Sequence, residues 1–222
     1  MAEALYRLLA WLSPAYPIGA FSYSHGIETA VEEGLIKDRA SLVVWLETVL
    51  RDGTGRVDGA LFAAAWRAAT ARDWAGFDII AERAAAWRGT SEMALESRQQ
   101  GASFLSITRT AWPHPDLAHA RDELALPAAV ALAAAAHGIS LEDALAGYLH
   151  AFAANLISAA VRTVPLGQSD GQRALAALEG AVRQTAEAAL AVGDLDEVGS
   201  ATPLLDWCSL RHETQYTRLF RS

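Results

Sequence analysis

An uncharged stretch in the second half of the chain most constrains how the chain can fold. No Asp, Glu, Lys or Arg occurs between Asp143 and Arg162, while leucine, phenylalanine and alanine recur at helical spacing. Ser140 with Asp143 three residues later has the pattern of a capped helix start, and Pro165 cannot continue a helix. The sequence therefore predicts a helix over 140–163, roughly 36 Å long at 1.5 Å per residue. Because this helix is apolar nearly all round, we expect it to be buried on all sides.

The same stretch is long enough to be considered as a membrane span. Gly147, His150, Asn155 and Ser158 interrupt it, and alanine rather than leucine or valine fills much of the remainder. A buried core helix is therefore favoured over a membrane span.

Composition excludes several classes of protein. The formal net charge of -8 over 222 residues argues against a nucleic-acid-binding protein, which usually carries basic stripes. A single cysteine, Cys208, allows no internal disulfide framework and fits a reducing compartment. The amino end is acidic and lacks the pattern of a signal peptide, so we expect a cytoplasmic protein.

Prolines, glycines and capping residues divide the rest of the chain into further helices. Besides short helices near the amino end, we expect helices to begin at Asp38, Asp58, Asp73, Thr90, Asp116 and Ser169. The helix from Asp116 is expected to be kinked or divided at Pro127, and the one from Ser169 to continue to Gly193. The helix from Thr90 to about Ala111 is expected to expose Glu92, Glu96, Arg98, Gln99 and Gln100.

The pattern as a whole indicates an all-α fold. No alternating strand pattern or hairpin dipeptide is evident, and the 48 alanines among 222 residues favour helices and their close approach. We predict a single domain over 1–222, bundle-like, with about nine or ten helices around the buried helix 140–163.

The motifs of common enzyme and cofactor sites are absent from the sequence. It contains no phosphate-binding loop, no nucleophile elbow and no His-Glu-x-x-His, so we predict no catalytic residue and no bound cofactor. Cys208 and His212 stand four apart and could touch a soft metal, but two ligands are too few for a closed site. Packing of Cys208 and a hydrogen bond from His212 are the favoured alternative, so no metal site is predicted.

Two features near the amino end have simple structural interpretations. His25 beside Ser24 has no identifiable partner carboxylate, so a role at a helix start or an interface is favoured over acid–base catalysis. The carboxylates of Glu28, Glu32 and Glu33 are most simply a solvated helix face.

The carboxyl-terminal segment 200–222 differs in character from the rest of the chain. It mixes arginine, aromatic and aliphatic residues, which are the types favoured at protein interfaces. Arg211, Arg218 and Arg221 could be ordinary surface charges, but their density beside Tyr216 and Phe220 makes an interface an equal alternative.

These same segments carry a family resemblance that covers essentially the whole chain. The amino-terminal blocks are Ser13-Pro14, Pro17-Ile18-Gly19, Phe21-Ser22-Tyr23-Ser24, Gly26-Ile27-Glu28 and Ala30-Val31. The central blocks are Val161-Arg162 and Pro165-Leu166-Gly167-Gln168. The carboxyl-terminal blocks are Ser200-Ala201-Thr202-Pro203-Leu204, Arg211-His212-Glu213-Thr214-Gln215-Tyr216 and Arg218-Leu219-Phe220-Arg221-Ser222. With these blocks in order, the sequence resembles the UreF family of urease accessory proteins.

The resemblance implies an all-helical, non-enzymatic chaperone for nickel insertion into apo-urease. It implies a homodimer that links the accessory protein UreD, also called UreH, to the GTPase UreG on the urease apoprotein. It also implies an effect on the GTP-driven cycle of UreG. A helical enzyme and a general helical scaffold or adaptor unrelated to urease are the alternatives.

The resemblance and the residue types together suggest two groups of site residues. The expected partner-binding residues are Arg211, His212, Glu213, Tyr216, Arg218, Leu219 and Phe220. Among them we expect Tyr216, Leu219 and Phe220 to become buried on assembly, and Arg211 and Arg218 to pair with carboxylates. An arginine finger toward the GTPase is a less favoured role for Arg211 or Arg218. The expected GTPase-facing or nickel-route residues are Tyr23, Ser24, His25 and Glu28.

Overall fold

The computed structural model describes residues 2–222, which form eleven α-helices and three short 3-10 helices and contain no β-strand. The first six α-helices are α1 (Ala2–Trp11), α2 (Ile27–Glu32), α3 (Arg39–Arg51), α4 (Thr54–Thr70), α5 (Trp74–Ala86) and α6 (Ser91–Ala111). The others are α7 (Leu126–Ala136), α8 (Leu141–Thr163), α9 (Gln168–Ala177), α10 (Glu179–Ala191) and α11 (Pro203–His212). The 3-10 helices span Ala20–Ser22, Pro115–His119 and Leu195–Glu197. Because α9 and α10 meet at Leu178, they can also be counted as one broken helix, which gives ten. The predicted all-α fold of about nine or ten helices is confirmed.

The core is built around α7 and α8. Every residue of α7 from Pro127 to Ala134 is buried, because α4 and α6 pack closely against it. Helix α8 matches the predicted central helix and packs against α2, α3, α4, α7, α9 and α10. The expectation that α8 is buried on all sides is too strong, since His150 and Ser158 face solvent.

Within residues 2–222, α8 is the one helix whose length and apolar composition would allow it to cross a membrane. Half of its most apolar 18-residue window is buried inside the protein. The core helix of a soluble protein passes the same test of length and composition, so this is weak evidence for a membrane span.

The predicted helix start at Asp58 is wrong. Helix α4 begins at Thr54, and Asp58 lies one turn inside it and is buried. The Asp58 carboxylate accepts hydrogen bonds at 2.7 Å from both the Arg88 guanidinium and the Tyr148 hydroxyl. A buried carboxylate needs such partners, and they come from residues far along the chain.

Two other helix starts also differ from expectation. Ser169 lies inside α9, which begins after Gly167 without a side-chain cap, and the helix is interrupted at Leu178 instead of continuing to Gly193. No long α-helix begins at Asp116, which lies in the short 3-10 helix Pro115–His119. Helix α7 starts separately at Leu126. Pro127 therefore lies in the first turn of α7, where its missing N–H costs no hydrogen bond.

Helix α6 has the predicted extent but not the predicted orientation of its polar residues. Thr90 caps it, since the Thr90 hydroxyl accepts from the Met93 amide at 3.2 Å. Arg98 is exposed as expected, whereas Glu92, Glu96 and Gln100 are buried. Their i, i+4, i+8 spacing places them on one face of α6, and that face is turned toward α2 and the end of the chain.

Candidate functional site

The site is formed where α2, α6 and α11 meet the last ten residues of the chain. Gly26, just before α2, has a φ of +78°, and a Cβ there would lie 3.4 Å from the Leu205 side chain and 3.5 Å from Cys208 Cβ on α11. The preceding residue, His25, also has a positive φ, of +55°. These left-handed residues turn the chain sharply so that α2 packs directly on α11.

His212, at the end of α11, lies fully buried between two carboxylates. Its Nδ1 is 2.8 Å from Oε2 of Glu92 on α6, and its Nε2 is 3.1 Å from Oε2 of Glu28 on α2. The other oxygen of Glu92 accepts from the Arg218 guanidinium at 3.1 Å. Glu28, Glu92, His212 and Arg218 are called the tail clamp below, and residues 213–222 the tail.

Glu28 also holds the main chain of the tail. Its carboxylate accepts hydrogen bonds from the amides of Leu219 at 2.6 Å and Phe220 at 3.0 Å. The expectation that Glu28 belongs to a solvated face is therefore wrong, although Glu32 and Glu33 are exposed.

The last residue of the tail is anchored between α6 and the segment before α2. The Ser24 amide donates to the main-chain oxygen of Ser222 at 2.8 Å, and the Ser222 hydroxyl donates to Glu96 at 2.8 Å. Glu96 also lies 3.3 Å from Nδ1 of His25, whose Nε2 is 2.8 Å from the Thr54 hydroxyl. His25 thus has a partner carboxylate after all, 71 positions along the chain, where sequence spacing could not show it.

Phe220 is buried in the single chain, at 4% exposure. The Arg162 guanidinium of α8 lies over its ring, 4.2 Å from the ring centre, and over the ring of Phe21 at 3.8 Å. The expectation that Phe220 becomes buried only on assembly is therefore wrong. Tyr216 and Leu219, by contrast, are 104% and 63% exposed.

The outer side of the same region presents apolar side chains to solvent. These exposed residues, called the outer face below, are Leu204, Trp207 and Leu210 of α11 with Tyr216 and Leu219 of the tail. Arg211 is exposed beside them, its guanidinium 6.0 Å from the centre of the Trp207 ring. Glu213, another predicted site residue, is exposed and accepts a hydrogen bond from Ser91.

Burial shifts the pKa values of several groups at the site, Glu92 and Cys208 among them. It raises the pKa of Glu92, although His212 and Arg218 act in the opposite direction. It also raises the pKa of the Cys208 thiol to about 11, which keeps that thiol protonated. Among residues 2–222 no three or more His, Cys, Asp or Glu side chains are arranged so that they could hold a metal ion, and His212 is engaged by glutamates rather than by Cys208.

A cavity of about 520 Å³ lies beside α8 and reaches the inner side of this site. Its lining includes the polar side chains of His25, Thr54, Asp58, Arg88, Glu96 and Gln100. Of the four residues predicted to face a GTPase or a nickel route, His25 alone lines the cavity. Tyr23, Ser24 and Glu28 lie beneath the tail, where the Tyr23 hydroxyl donates to Gln99.

The structure therefore brings both predicted groups of residues together in one place. Sequence reasoning missed Glu92, Glu96, Arg162 and Ser222 as members of the site. For the two glutamates a signal existed, because Glu92, Glu96 and Gln100 share one helical face; Arg162 and Ser222 stood inside the family blocks without an assigned role.

Comparison with known proteins gives a consistent result. The UreF family model matches residues 36–179. A urease accessory protein UreF of Granulibacter bethesdensis is 54% identical, covering 99% of this chain and 94% of the relative. Those of Bradyrhizobium diazoefficiens and a Rhodopseudomonas palustris strain are 51% and 50% identical over the full chain. Since the family model and these full-length relatives agree, the chain belongs to the UreF family of urease accessory proteins, and its role lies in urease maturation.

Proposed function

We propose that this protein acts without catalysis, as an adaptor that links UreD (UreH) and the GTPase UreG on apo-urease during nickel insertion. The proposal takes its partners from the family resemblance and its docking surface from the outer face. It includes a cytoplasmic homodimer and an effect on the GTP cycle of UreG.

The observation that carries the proposal is the two-sided character of α11 and the tail. One side is fixed to the body by buried groups such as His212 and Phe220, while the other exposes Trp207, Tyr216 and Leu219. Exposed apolar residues grouped in this way mark interaction sites, and aromatic residues are the usual anchors of such sites. We assign the outer face to UreD, with Arg211 and Glu213 at its polar rim.

Arg218 has a mainly structural role in this proposal. Its guanidinium is committed to Glu92, and its side chain is 42% exposed. This pairing supports a positioning role and gives no support to an arginine finger, which would need to be free to reach the nucleotide of UreG. Arg211 is the more available of the two for a partner carboxylate.

Nickel enters the proposal only as cargo. Of the predicted route residues, His25 alone lines the cavity beside α8, which Glu96 and Asp58 also line. Nickel accepts imidazole and carboxylate ligands, so a nickel route through this protein would include His25. Tyr23, Ser24 and Glu28 serve the docking of the tail instead.

Removing the whole segment from Arg211 to Ser222 would be a poor test of the proposal. It would also remove buried groups, His212 and Phe220 among them, and take from Glu28 and Glu92 the hydrogen-bond partners that they have in 211–222. Substitutions confined to the outer face are cleaner, because they leave the inner contacts in place.

The test is Tyr216→Ser with Leu219→Ser, co-expressed with the urease structural and accessory proteins. We expect loss of co-purification with UreD and loss of urease activation, since truncating one interface anchor typically weakens binding roughly 30-fold. The matched control is Val44→Ser with Ile79→Ser, two apolar residues of α3 and α5 that are 64% and 66% exposed. Undiminished co-purification of the Tyr216 and Leu219 variant, or equal losses in the control, would contradict the proposal.

A further inference from the structure

We infer that the cavity beside α8 is a binding site for an uncharged small molecule with a mainly apolar body and a hydrogen-bond acceptor such as a carbonyl oxygen. The inference goes beyond the proposed function and does not depend on it. None of the residues of the tail clamp or of the outer face lines this cavity.

The cavity has the size and the walls of a small-molecule site. Its volume of about 520 Å³ lies within the range of roughly 300–1,000 Å³ that is usual for such sites. Aromatic and aliphatic side chains make up much of the lining, among them Tyr16, Ile18, Phe104, Val130 and Phe152. These side chains can pack against an apolar molecule, which is thereby removed from water.

Two buried donors of the lining residues lack a hydrogen-bond partner. Within residues 2–222, four buried side-chain nitrogen or oxygen atoms have none, and two of them, Nε1 of Trp11 and Nη2 of Arg88, belong to residues that line the cavity. Trp11 is 1% exposed, and the Arg88 side chain is 6% exposed. An unpaired buried donor is unfavourable, so a molecule in the cavity that offers an acceptor gains binding energy from it.

The guanidinium of Arg88 is held in place by its other contacts. Its Nε donates to the main-chain oxygen of Ala84 at 3.2 Å, and its Nη1 donates to Asp58 at 2.7 Å. The Tyr148 hydroxyl donates to the other oxygen of Asp58 at 2.7 Å and so fixes that carboxylate in turn. Because a guanidinium is planar and rigid, these contacts also fix the direction of Nη2.

The charges of the lining residues favour an uncharged ligand. The charge of Arg88 is already balanced by Asp58, so an anion gains little net attraction there. Glu96 also lines the cavity, with its carboxylate 3.3 Å from Nδ1 of His25, and would repel an anion. A cation could not accept a hydrogen bond from either unpaired donor. An uncharged acceptor meets none of these penalties.

The cavity can be reached from the surface. The two donors belong to buried side chains, whereas several other lining residues are exposed to solvent. These exposed lining residues are Pro14, Phe21, His150 and Ser158. A small molecule can therefore enter without unfolding of the core.

The test uses Prodan, an uncharged naphthalene ketone whose fluorescence changes when it leaves water, titrated into the isolated full chain. We expect saturable binding of one probe molecule per chain. The variant Ala154→Phe fills the cavity, and its control is Ala146→Phe, at a half-buried position of the same helix that does not line the cavity. The Kd should rise by about tenfold or more in Ala154→Phe, because the added ring takes the space of the probe, and stay unchanged in Ala146→Phe.

A second pair of variants tests the donors. Trp11→Phe removes the indole N–H, and Arg88→Lys keeps a positive charge beside Asp58 but loses Nη2. The single ketone accepts from one of the two donors, so at least one variant should raise the Kd by about three- to tenfold, as expected for one hydrogen bond. Trp45→Phe is the matched control, since Nε1 of Trp45 is also buried and unpartnered but Trp45 does not line the cavity.

Competition tests the class of ligand without any variant, should Arg88→Lys fail to fold by circular dichroism. Acetylnaphthalene and naphthoate have the same size, and we expect the uncharged ketone to displace Prodan at about a tenfold lower concentration, because the anion is costly to bury. Equal or better displacement by naphthoate would overturn the inference. Absence of saturable Prodan binding would show that the cavity takes up water only, and equal effects of Ala154→Phe and Ala146→Phe would place the probe elsewhere. An unchanged Kd in both donor variants would equally contradict the inference.

Discussion

At the scale of single residues, burial decides what the chemically notable side chains can do. Cys208 and His212 share one face of α11, yet each is 0% exposed and they serve different neighbours. Cys208 packs beneath Gly26, while His212 bridges two glutamates. Their spacing alone would have allowed a metal pair, and it is the surrounding elements that assign them separate structural roles.

The Cys208 thiol should react slowly in the folded protein. With a pKa of about 11, it is deprotonated only in roughly one molecule in a thousand at pH 8, and the surrounding helices block access to it. We expect modification by Ellman's reagent to be at least about a hundredfold slower than in guanidinium chloride, where the thiol regains an ordinary pKa near 8.5. Raising the pH from 7 to 9 should accelerate the native reaction without bringing it to the unfolded rate. Rapid native labelling at pH 8 would show that Cys208 is accessible.

At the scale of elements, close approach between α6 and the segment leading into α7 depends on a glycine. A Cβ on Gly101 would lie 2.1 Å from the main-chain oxygen of Leu124 and 2.8 Å from the carbonyl carbon of Ala125. Because those are main-chain atoms, they cannot move aside as the end of a side chain could. The position needs glycine although it lies in the middle of a helix, where glycine is otherwise unfavourable.

Gly101→Ala should therefore destabilise the protein in spite of its better helix propensity. We expect a loss of about 1–3 kcal/mol in the free energy of unfolding, typical of overpacked sites. Gly180→Ala in α10 is the control, since a Cβ there meets nothing within 4 Å, and it should be neutral or stabilising by up to about 1 kcal/mol. Urea unfolding followed by circular dichroism measures both changes; equal stability of the two variants would refute the packing argument.

Helix boundaries could be predicted from the sequence where the capping contact is local. Asp38, Asp73 and Ser140 cap their helices through hydrogen bonds within three residues, and all three starts are confirmed. Asp58 has the same residue type but a different role, because its partners Arg88 and Tyr148 lie 30 and 90 residues away. A local pattern cannot distinguish a capping carboxylate from a buried one.

The candidate site could be predicted only in part, because most of its contacts join residues far apart in the chain. Composition identified the carboxyl-terminal segment 200–222 as unusual, and the family resemblance assigned it to a partner. The orientation of α6 was missed, because Glu92 and Glu96 look like ordinary surface residues until His212, Arg218 and Ser222 are brought opposite them. Those contacts span 120 or more positions in the chain.

At the scale of the whole molecule, the most deeply buried helix and the exposed apolar residues belong to different elements. Helix α7 is enclosed on every side, whereas α1 exposes Leu5, Tyr6 and Leu9, and α11 exposes part of the outer face. Regions with many buried contacts open only when the whole protein unfolds, and peripheral elements open at lower cost.

Native-state hydrogen exchange should reflect this arrangement. Amides of Val130–Ala134 in α7 are expected to exchange only through global unfolding and to be the slowest in the chain. Those of α1 should exchange fastest among the α-helices, and the Leu219 and Phe220 amides should fall between, because Glu28 protects them. Faster exchange in α7 than in α1 would contradict the assignment of α7 to the core.

Glu28 binds the main chain near the end of the protein, and this affects which substitutions can accumulate there during evolution. Glu28 grips peptide N–H groups, which every residue except proline possesses, and so it is indifferent to which side chain stands at position 219. Substitutions there can alter what the protein recognises while the grip stays intact. At position 219 the main-chain amide serves folding and the exposed side chain serves recognition. A substitution there could therefore change the partner without changing the fold.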